Sequence, residues 1–433
     1  MASFKIKGGK SLSGTIIPQG AKNEALQVIC ATLLSDKKIT INNIPIITDV
    51  LCLIDMLKDL GVIITKMSQN SYSFEAKDIN LSYLDTDTFV KKSSKIRASV
   101  MLSGPLLGRF GKSIMCPPGG DKIGRRRLDT HFIGLSKLGG NFKFKKNHYQ
   151  ITAKKLIGEY ILLEEASVTG TANIIMAAVL ANGKTTIYNA ACEPYIQQLC
   201  IMLNNMGAHI KGIGSNLITI NGTSYLKGCQ HTILPDMIEI GSWIGLAAMT
   251  KSKICIKNAN VSSLGQTLSV FKKMGIKLQI ENDDIIVHKQ ETYTVDSFIN
   301  GSILTISDAP WPGFSPDLLS IIIVTATQAK GNILVHQKMF ESRLFFVDKL
   351  IEMGAKIILC DPHRATITGI NREYELNATT MTSPDIRAGI SLLIAALSAN
   401  GTSIINNIEQ IDRGYENIDN RLIALGASIE RSN

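Results

Sequence analysis

Aromatic residues are scarce in this chain. Phe, Trp and Tyr make up 6% of its 433 residues, with two tryptophans in all. The basic stretches carry no interleaved rings for bases to stack on, which argues against a single-strand nucleic-acid binder. Long apolar runs are missing too. The longest, near 318–329 and 388–399, fall short of the ~18 residues of a spanning helix and read as buried helices. The opening MASFKIKGGK lacks the apolar core of a signal peptide, so no export signal is expected. The eight cysteines form no CxxC pair and no cluster with histidine. That pattern points to reduced thiols in a cytoplasm, most of them in core helices, and not to disulfides or a zinc site. Acidic residues are the minority charge: 36 Asp and Glu face 46 Lys and Arg, a net charge of +10. The excess favours anionic partners such as nucleic acid, acidic membrane or phosphorylated small molecules. What is plentiful is aliphatic. Hydrophobic content of 45% and charged content of 19% describe a globular chain with large cores, long enough for two or three domains.

The chain repeats. An amphipathic helix, a β-branched strand, an Asn- or Pro-bearing turn and a second helix recur, and the second helix ends in Leu-Gly or Met-Gly. Those endings fall at Gly61, Gly139, Gly207, Gly275, Gly354 and Gly426. Glycine there takes the left-handed conformation that closes a helix. Val50, Leu53, Leu57 and Leu60 show the helical spacing, as do Ile196, Leu199, Leu203 and Met206. The strands before these helices are alike: ITINNI at 39–44, TTIYNA at 185–190, ICIKNA at 254–259 and SIINNI at 403–408. Six copies predict an α/β (α+β) fold of two halves with three units each. The boundary is placed near Ile233, where a proline interrupts HTILPD. The first strand, Phe4–Ile17, is expected to pack with the C-terminal half.

The stretch CPPGGDKIGRRRLDTH, Cys116–His131, interrupts this pattern. Two prolines and two glycines shape a loop. It carries one acid, Asp121, followed by Arg125, Arg126 and Arg127. It is no Walker A loop, since no Gly-Lys-Ser/Thr follows. An acid beside fixed cations suits an anionic substrate and a proton donor. Other polar residues recur at equal phase. Lys22-Asn23, Arg97, Ser167–Asn173, Asp317 and Asp385/Arg387 stand at the start of first helices. Arg126, Arg343 and Arg413 stand before second helices. Equal phase implies one anion-attracting pole per half, because helix N-termini offer free N–H groups.

These residues also carry a resemblance. GAKNEAL at 20–26, IRAS at 96–99, PGGDKIGRR at 118–126, SVTGTANIIMAA at 167–178, SPDLL at 315–319, FESR at 340–343, SPDIRAG at 383–389 and IDRGYE at 411–416 resemble the UDP-N-acetylglucosamine 1-carboxyvinyltransferases. These are the enolpyruvyl transferases of peptidoglycan synthesis, and the likeness covers the whole length. The resemblance implies a two-domain inside-out α/β barrel with six βαβαββ repeats, three per domain in pseudo-threefold arrangement. The expected domains are 22–232, carrying the active-site loop 117–127, and 1–21 plus 233–433, with the site in the cleft between them. It implies attack by the sugar 3-hydroxyl on C2 of phosphoenolpyruvate, protonation at C3, a tetrahedral intermediate and loss of phosphate. By similarity Lys22, Arg126 and Arg413 hold the phosphate, with Asn23 nearby. Arg343 and Arg387 hold the carboxylate, where the planar guanidinium fork fits. Asp317 is the base and Asp121 the proton donor. The sugar nucleotide is expected on Asn23, Arg97, Arg126, Arg127, Leu128, Asp129, Thr130, Ser167, Val168, Thr169, Asp317 and Met339. No metal or organic cofactor, nucleic acid or membrane partner is implied. The expected location is cytoplasmic, and the oligomeric state is left open, a monomer being sufficient.

The chain departs from the family where most members have cysteine, here Asp121. Cys116 lies five residues earlier and is not its counterpart. Aspartate can donate a proton if its surroundings favour the protonated form, but it forms no stable thioether, so resistance to fosfomycin is expected. Thr48 and Glu165 replace two family lysines directed at the diphosphate, with Lys122 or Arg127 as compensating candidates. Gln410 replaces a family histidine. The rival readings are the shikimate 3-phosphate enolpyruvyl transferase, an RNA-cyclase-like nucleic-acid protein, and an inactive paralogue. The first lacks the PGG-acid loop and has a serine-bearing start instead of GAKN. The second needs stacking rings and a nucleophilic histidine. The intact arginine set speaks against the third.

Overall fold

A computed structural model describes residues 2–121, 123–124, 126–145 and 148–432. The chain divides into two compact units. The C-terminal unit comprises Met1–Gln19, Asp121–Arg125 and Pro235–Asn433, and the N-terminal unit comprises Gly20–Gly120 and Arg126–Leu234. Each has its own hydrophobic core.

The described residues form six sheets, five of four strands and one of three. None closes on itself, so the expected barrel takes the form of separate small sheets. Tyr160–Leu162, Val168–Ala178, Lys184–Tyr188, Pro194–Asn205, His209–Lys211 and Leu217–Asn221 run βαβαββ in order. Leu304–Ile370 repeats that order. In both, a short edge strand runs parallel to its neighbour, and the rest of the sheet is antiparallel. The helix-closing glycines behave as their phase predicts. Gly61, Gly139, Gly207, Gly275, Gly354 and Gly426 have φ between 84° and 105°, a region costly for side chains with a Cβ.

The N-terminal residues form two strands in two sheets, not the single strand expected over Phe4–Ile17. Ser3–Lys7 inserts between Thr402–Asn406 and Ser428–Ser432, completing the last repeat. Ser13–Ile16 pairs in parallel with Lys253–Ile256. Gln230–Thr232, although it precedes the fourth repeat in sequence, pairs in parallel with Ile39–Asn42 of the first. First and fourth repeats therefore exchange edge strands.

Inside the C-terminal unit three helices, Met237–Met249, Leu319–Ala326 and Ile386–Ser398, pack on one another. Every residue of the first two is buried, hence their nearly continuous apolar sequence. Each fully buried Ile or Leu there contributes about 1.5–3 kcal/mol. The close approach depends on glycine. A Cβ at Gly245 would stand 2.4 Å from Ile321 Cγ2, and one at Gly241 2.5 Å from Leu318 Cδ2. In the N-terminal unit, Lys22–Ala31, Ser103–Phe110 and Val168–Ala178 are the corresponding first helices.

The cysteines depart from expectation. Cys30, Cys116, Cys192 and Cys200 are buried, but Cys52, Cys229 and Cys255 are half-buried and Cys360 is exposed. Only Cys30, Cys52 and Cys200 lie in helices. Cys255 and Cys360 lie in strands, and Cys116, Cys192 and Cys229 in irregular segments. No helix among the described residues is long and apolar enough to cross a membrane.

Candidate active site

In the C-terminal unit the polar residues of equal phase meet. Asp317 lies in the 3-10 turn Pro316–Leu318 that opens the helix Leu319–Ala326. Arg387 is the second residue of the helix Ile386–Ser398, whose N-cap is Asp385. Packing of these two helices brings the side chains together. Arg343 Nη2 donates to Asp317 Oδ1 at 2.6 Å, and Arg387 Nη2 donates to Oδ2 at 3.1 Å. Burial pushes the Asp317 carboxyl up, but the Arg387 and Arg343 guanidiniums outweigh it and hold the carboxyl well below the usual range. Burial disfavours the Arg387 cation, and Asp317 more than compensates, so Arg387 is held charged. Arg387 Nη1 also donates to the Tyr415 hydroxyl at 3.4 Å, which shares a 2.9 Å contact with Ser242. Arg343, Asp385 and Arg387 line one small cavity with Pro316, Ser320 and Gln337. Arg343 Nε is buried there without a hydrogen-bond partner in the described residues.

A second contact in the same unit joins loop to turn. Arg413 follows the short helix Glu409–Asp412. Its Nη1 donates to Asp121 Oδ1 at 2.6 Å and to Gln410 Oε1 at 2.8 Å. Both partners of the ion pair are 14% exposed. Asp385 is pushed up by burial, and the Asp121 charge adds to that shift. Met339 is exposed, with its N–H on Asp308 Oδ2 at 3.1 Å.

In the N-terminal unit Lys22 opens the helix Lys22–Ala31. Its ammonium meets Asp49 Oδ2 at 2.7 Å, both side chains being buried. Asp49 belongs to the first turn of Thr48–Asp59. Asn23, beside Lys22, is half-buried, and Thr48 is exposed. The turn Arg97–Leu102 packs on the Lys22–Ala31 helix. Arg97 Nη2 donates to the Arg127 carbonyl at 3.1 Å and to the Arg126 carbonyl at 3.4 Å. Burial first, then the Arg126 charge, push the Arg97 guanidinium down to about 10. Arg127 and Asp129 are exposed, Arg126 and Leu128 half-buried and Thr130 buried. Thr130 Oγ1 donates to Glu165 Oε1 at 3.3 Å. Ser167 caps Val168–Ala178, accepting from Gly170 N at 3.3 Å, and Val168 and Thr169 occupy its first turn. Lys122 and Arg125 lie outside the described residues.

Two partners were not singled out in the sequence: Asp49 ends on Lys22 and Tyr415 on Arg387. Gln410, noted there only as replacing a histidine, accepts from Arg413. Asp236 caps Met237–Met249, which extends the helix-start series to the fourth repeat. Its LPD, at the phase of the SPD at 315–317 and 383–385, was the available signal. His131, fully buried, contacts Thr169 Oγ1 at 3.1 Å and Asn173 Nδ2 at 3.0 Å. Burial, with a smaller push from Arg97, takes its imidazole down to about 3. No group of three or more His, Cys, Asp or Glu that could hold a metal occurs among the described residues.

Comparison with known proteins gives this geometry a context. Residues 6–422 match the family described as EPSP synthase (3-phosphoshikimate 1-carboxyvinyltransferase). The UDP-N-acetylglucosamine 1-carboxyvinyltransferases of Bacteroides thetaiotaomicron and Bacteroides fragilis are each 63% identical over 433 residues, covering all of both chains. That of Porphyromonas gingivalis is 59% identical over the same span. Among solved structures, the enolpyruvyl transferase NikO from Streptomyces tendae superposes with a TM-score of 0.87 at 19% identity, over 100% of this chain and 99% of that one. EPSP synthase from Acinetobacter baumannii gives 0.78 at 18%, covering all of both chains. At such identities these structures establish the shared fold.

Proposed function

Because the chain belongs to the UDP-N-acetylglucosamine 1-carboxyvinyltransferase family, within the enolpyruvyl transferase fold, we propose that it transfers the enolpyruvyl group of phosphoenolpyruvate to the 3-hydroxyl of UDP-N-acetylglucosamine. Phosphate is released, and the product enters peptidoglycan synthesis, with the roles in cell-wall growth and division that follow. The enzyme acts in the cytoplasm, with no metal or organic cofactor.

The observation that carries the reading is the pair of acid–arginine contacts in one unit, Asp317 on Arg343 and Arg387, and Asp121 on Arg413. Addition to an enol phosphate needs a base at the attacking hydroxyl, an acid at the methylene carbon and cations for two anionic groups. Asp317 takes the proton of the sugar hydroxyl. Asp121 gives a proton to C3, and C2 accepts the hydroxyl oxygen. A C3 proton is then lost to solvent, the bond from C2 to phosphate breaks, and the double bond is restored. Arg343 and Arg387 hold the substrate carboxylate, and Lys22, Arg126 and Arg413 hold its phosphate. Asn23 lies beside that group. Arg97, Arg126–Thr130, Ser167–Thr169 and Met339 serve the sugar nucleotide.

Phosphate release with the purified protein, phosphoenolpyruvate and UDP-N-acetylglucosamine tests this directly. Release should require both substrates. Release with shikimate 3-phosphate in place of the sugar nucleotide would move the assignment to the sister reaction. Fosfomycin should leave the protein active, because a carboxylate is a poorer nucleophile toward its epoxide than a thiolate. Asp121→Cys should acquire time-dependent inactivation. Rapid inactivation of the unmodified protein would mean another residue occupies the acid position.

A further inference from the structure

The ion pair between Asp121 and Arg413 raises a conflict that its geometry helps to resolve. Arg413 is the cation assigned to the incoming phosphate, and Asp121 is the acid that must carry a proton when the phosphate is in place. Without substrate the two are joined at 2.6 Å, and Gln410 takes a second contact from the same nitrogen at 2.8 Å. The two hydrogens of Nη1 are thereby committed. Asp121 in this state is a carboxylate accepting from a cation, which cannot act as an acid.

We propose that Arg413 is shared between Asp121 and the substrate phosphate, so that phosphate binding displaces the Asp121 carboxylate and obliges it to take up the proton it later delivers. The proposal rests on the reading of Arg413 as a phosphate ligand. A phosphate dianion brought to this guanidinium competes for its donors and sets two like charges a few ångströms apart. Like charges at that distance favour protonation of one of them. Asp121 pairs with Arg413, and its charge also raises the Asp385 carboxyl. Gln410 is neutral. Once Arg413 turns to the phosphate, the Asp385 carboxyl adds to the like charge that Asp121 meets, which favours proton uptake. The proton comes from solvent, passes from the Asp121 carboxyl to C3, and leaves a carboxylate free to return to Arg413 as phosphate departs. Acid loading is thus conditional on substrate.

The test is calorimetric. Phosphoenolpyruvate is titrated into the full-length protein saturated with a 3-deoxy UDP-N-acetylglucosamine, which has no hydroxyl to react, in buffers of different ionisation enthalpy near pH 7.5. The expected result is that the unmodified protein takes up about one more proton per ligand than Asp121→Asn. Its affinity should fall about tenfold per pH unit above neutrality, against a flatter profile in Asp121→Asn. Equal proton uptake in the two proteins overturns the proposal. Arg413→Ala separates the two levels of the argument. If that variant binds phosphoenolpyruvate as well as the unmodified protein, the assignment of Arg413 to the phosphate is wrong and the proposal falls with it. If it loses binding while the other two take up equal protons, the assignment stands and the sharing alone is refuted.

Discussion

The two units treat their cations in different ways. In the C-terminal unit Arg343 and Arg387 end on Asp317, and Arg413 ends on Asp121. In the N-terminal unit Lys22 has Asp49, but Arg97 ends on two backbone carbonyls, and its strongest charged neighbour is another arginine. An anion reaching the first set exchanges with a carboxylate already there. An anion reaching Arg97 adds to a charge that Glu165 only partly offsets. The first arrangement favours a site that must switch protonation states, and the second a site that only has to hold a diphosphate.

The sharpest way to break that comparison is Arg387→Met. It leaves Asp317 buried with one of its two cations gone, and one-sided removal from a buried pair typically costs about 3–5 kcal/mol. Denaturant unfolding should show a loss of this size, and phosphate release should fall by about a thousandfold. Asp317→Asn combined with Arg387→Met should recover most of the stability and none of the activity. A single variant as stable as the unmodified protein would mean that the C-terminal charges are not balanced in the way described.

Acid should separate the units next. The folded His131 imidazole titrates near 3, against 6.5 for the unperturbed group. Below pH 6.5 the unfolded chain gains a proton that the folded chain refuses. Stability is therefore lost as pH falls from about 6.5 toward 3, by up to about 5 kcal/mol. Asp317 is shifted in the same direction, downward from 3.8, and so acts in a lower pH window. Its contribution is full above that value and is lost only as pH falls below it. Between pH 6.5 and 4 the N-terminal unit should weaken first, seen as faster amide exchange there. His131→Gln should remove most of the difference, and an unchanged profile in that variant would assign the effect to other groups.

The sequence disclosed these features unevenly, and the reason lies in range. Helix ends such as Leu60-Gly61 were readable because the left-handed glycine is a local requirement. Arg343, Asp317 and Arg387 were readable as a set because helices of equal phase carry their first turns to the same pole. The exchange of Ser13–Ile16 and Gln230–Thr232 between first and fourth repeats was not. Each strand is three or four residues long, and its partner lies about 190 to 240 residues away, so no nearby pattern distinguishes one edge from another. The partners Asp49 and Tyr415 were hidden for a related reason. Each is an ordinary polar residue until packing sets it against a cation.

The finest test of the comparison is Arg97→Met. Burial and Arg126 disfavour the Arg97 cation in the folded state, with Glu165 giving a smaller opposing pull. Because its folded titration lies near 10 and the unperturbed one at 12.5, the charge opposes folding at every pH below about 10. The penalty fades only above that. Arg97 is half-buried, so screening by solvent reduces the effect to roughly 1 kcal/mol. Methionine keeps the apolar stem in place and deletes the charge. The variant should therefore melt about 2–4 °C higher. It gives up the hydrogen bond to the Arg127 carbonyl, which sets part of the gain aside. Binding of UDP-N-acetylglucosamine should weaken about tenfold or more, since a charge-assisted contact to the nucleotide is lost. Stability and affinity would then move in opposite directions, whereas in Arg387→Met stability and activity fall together. An Arg97→Met protein that melts lower than its parent would show that this cation is compensated after all, and that the contrast between the two units does not extend to their stability.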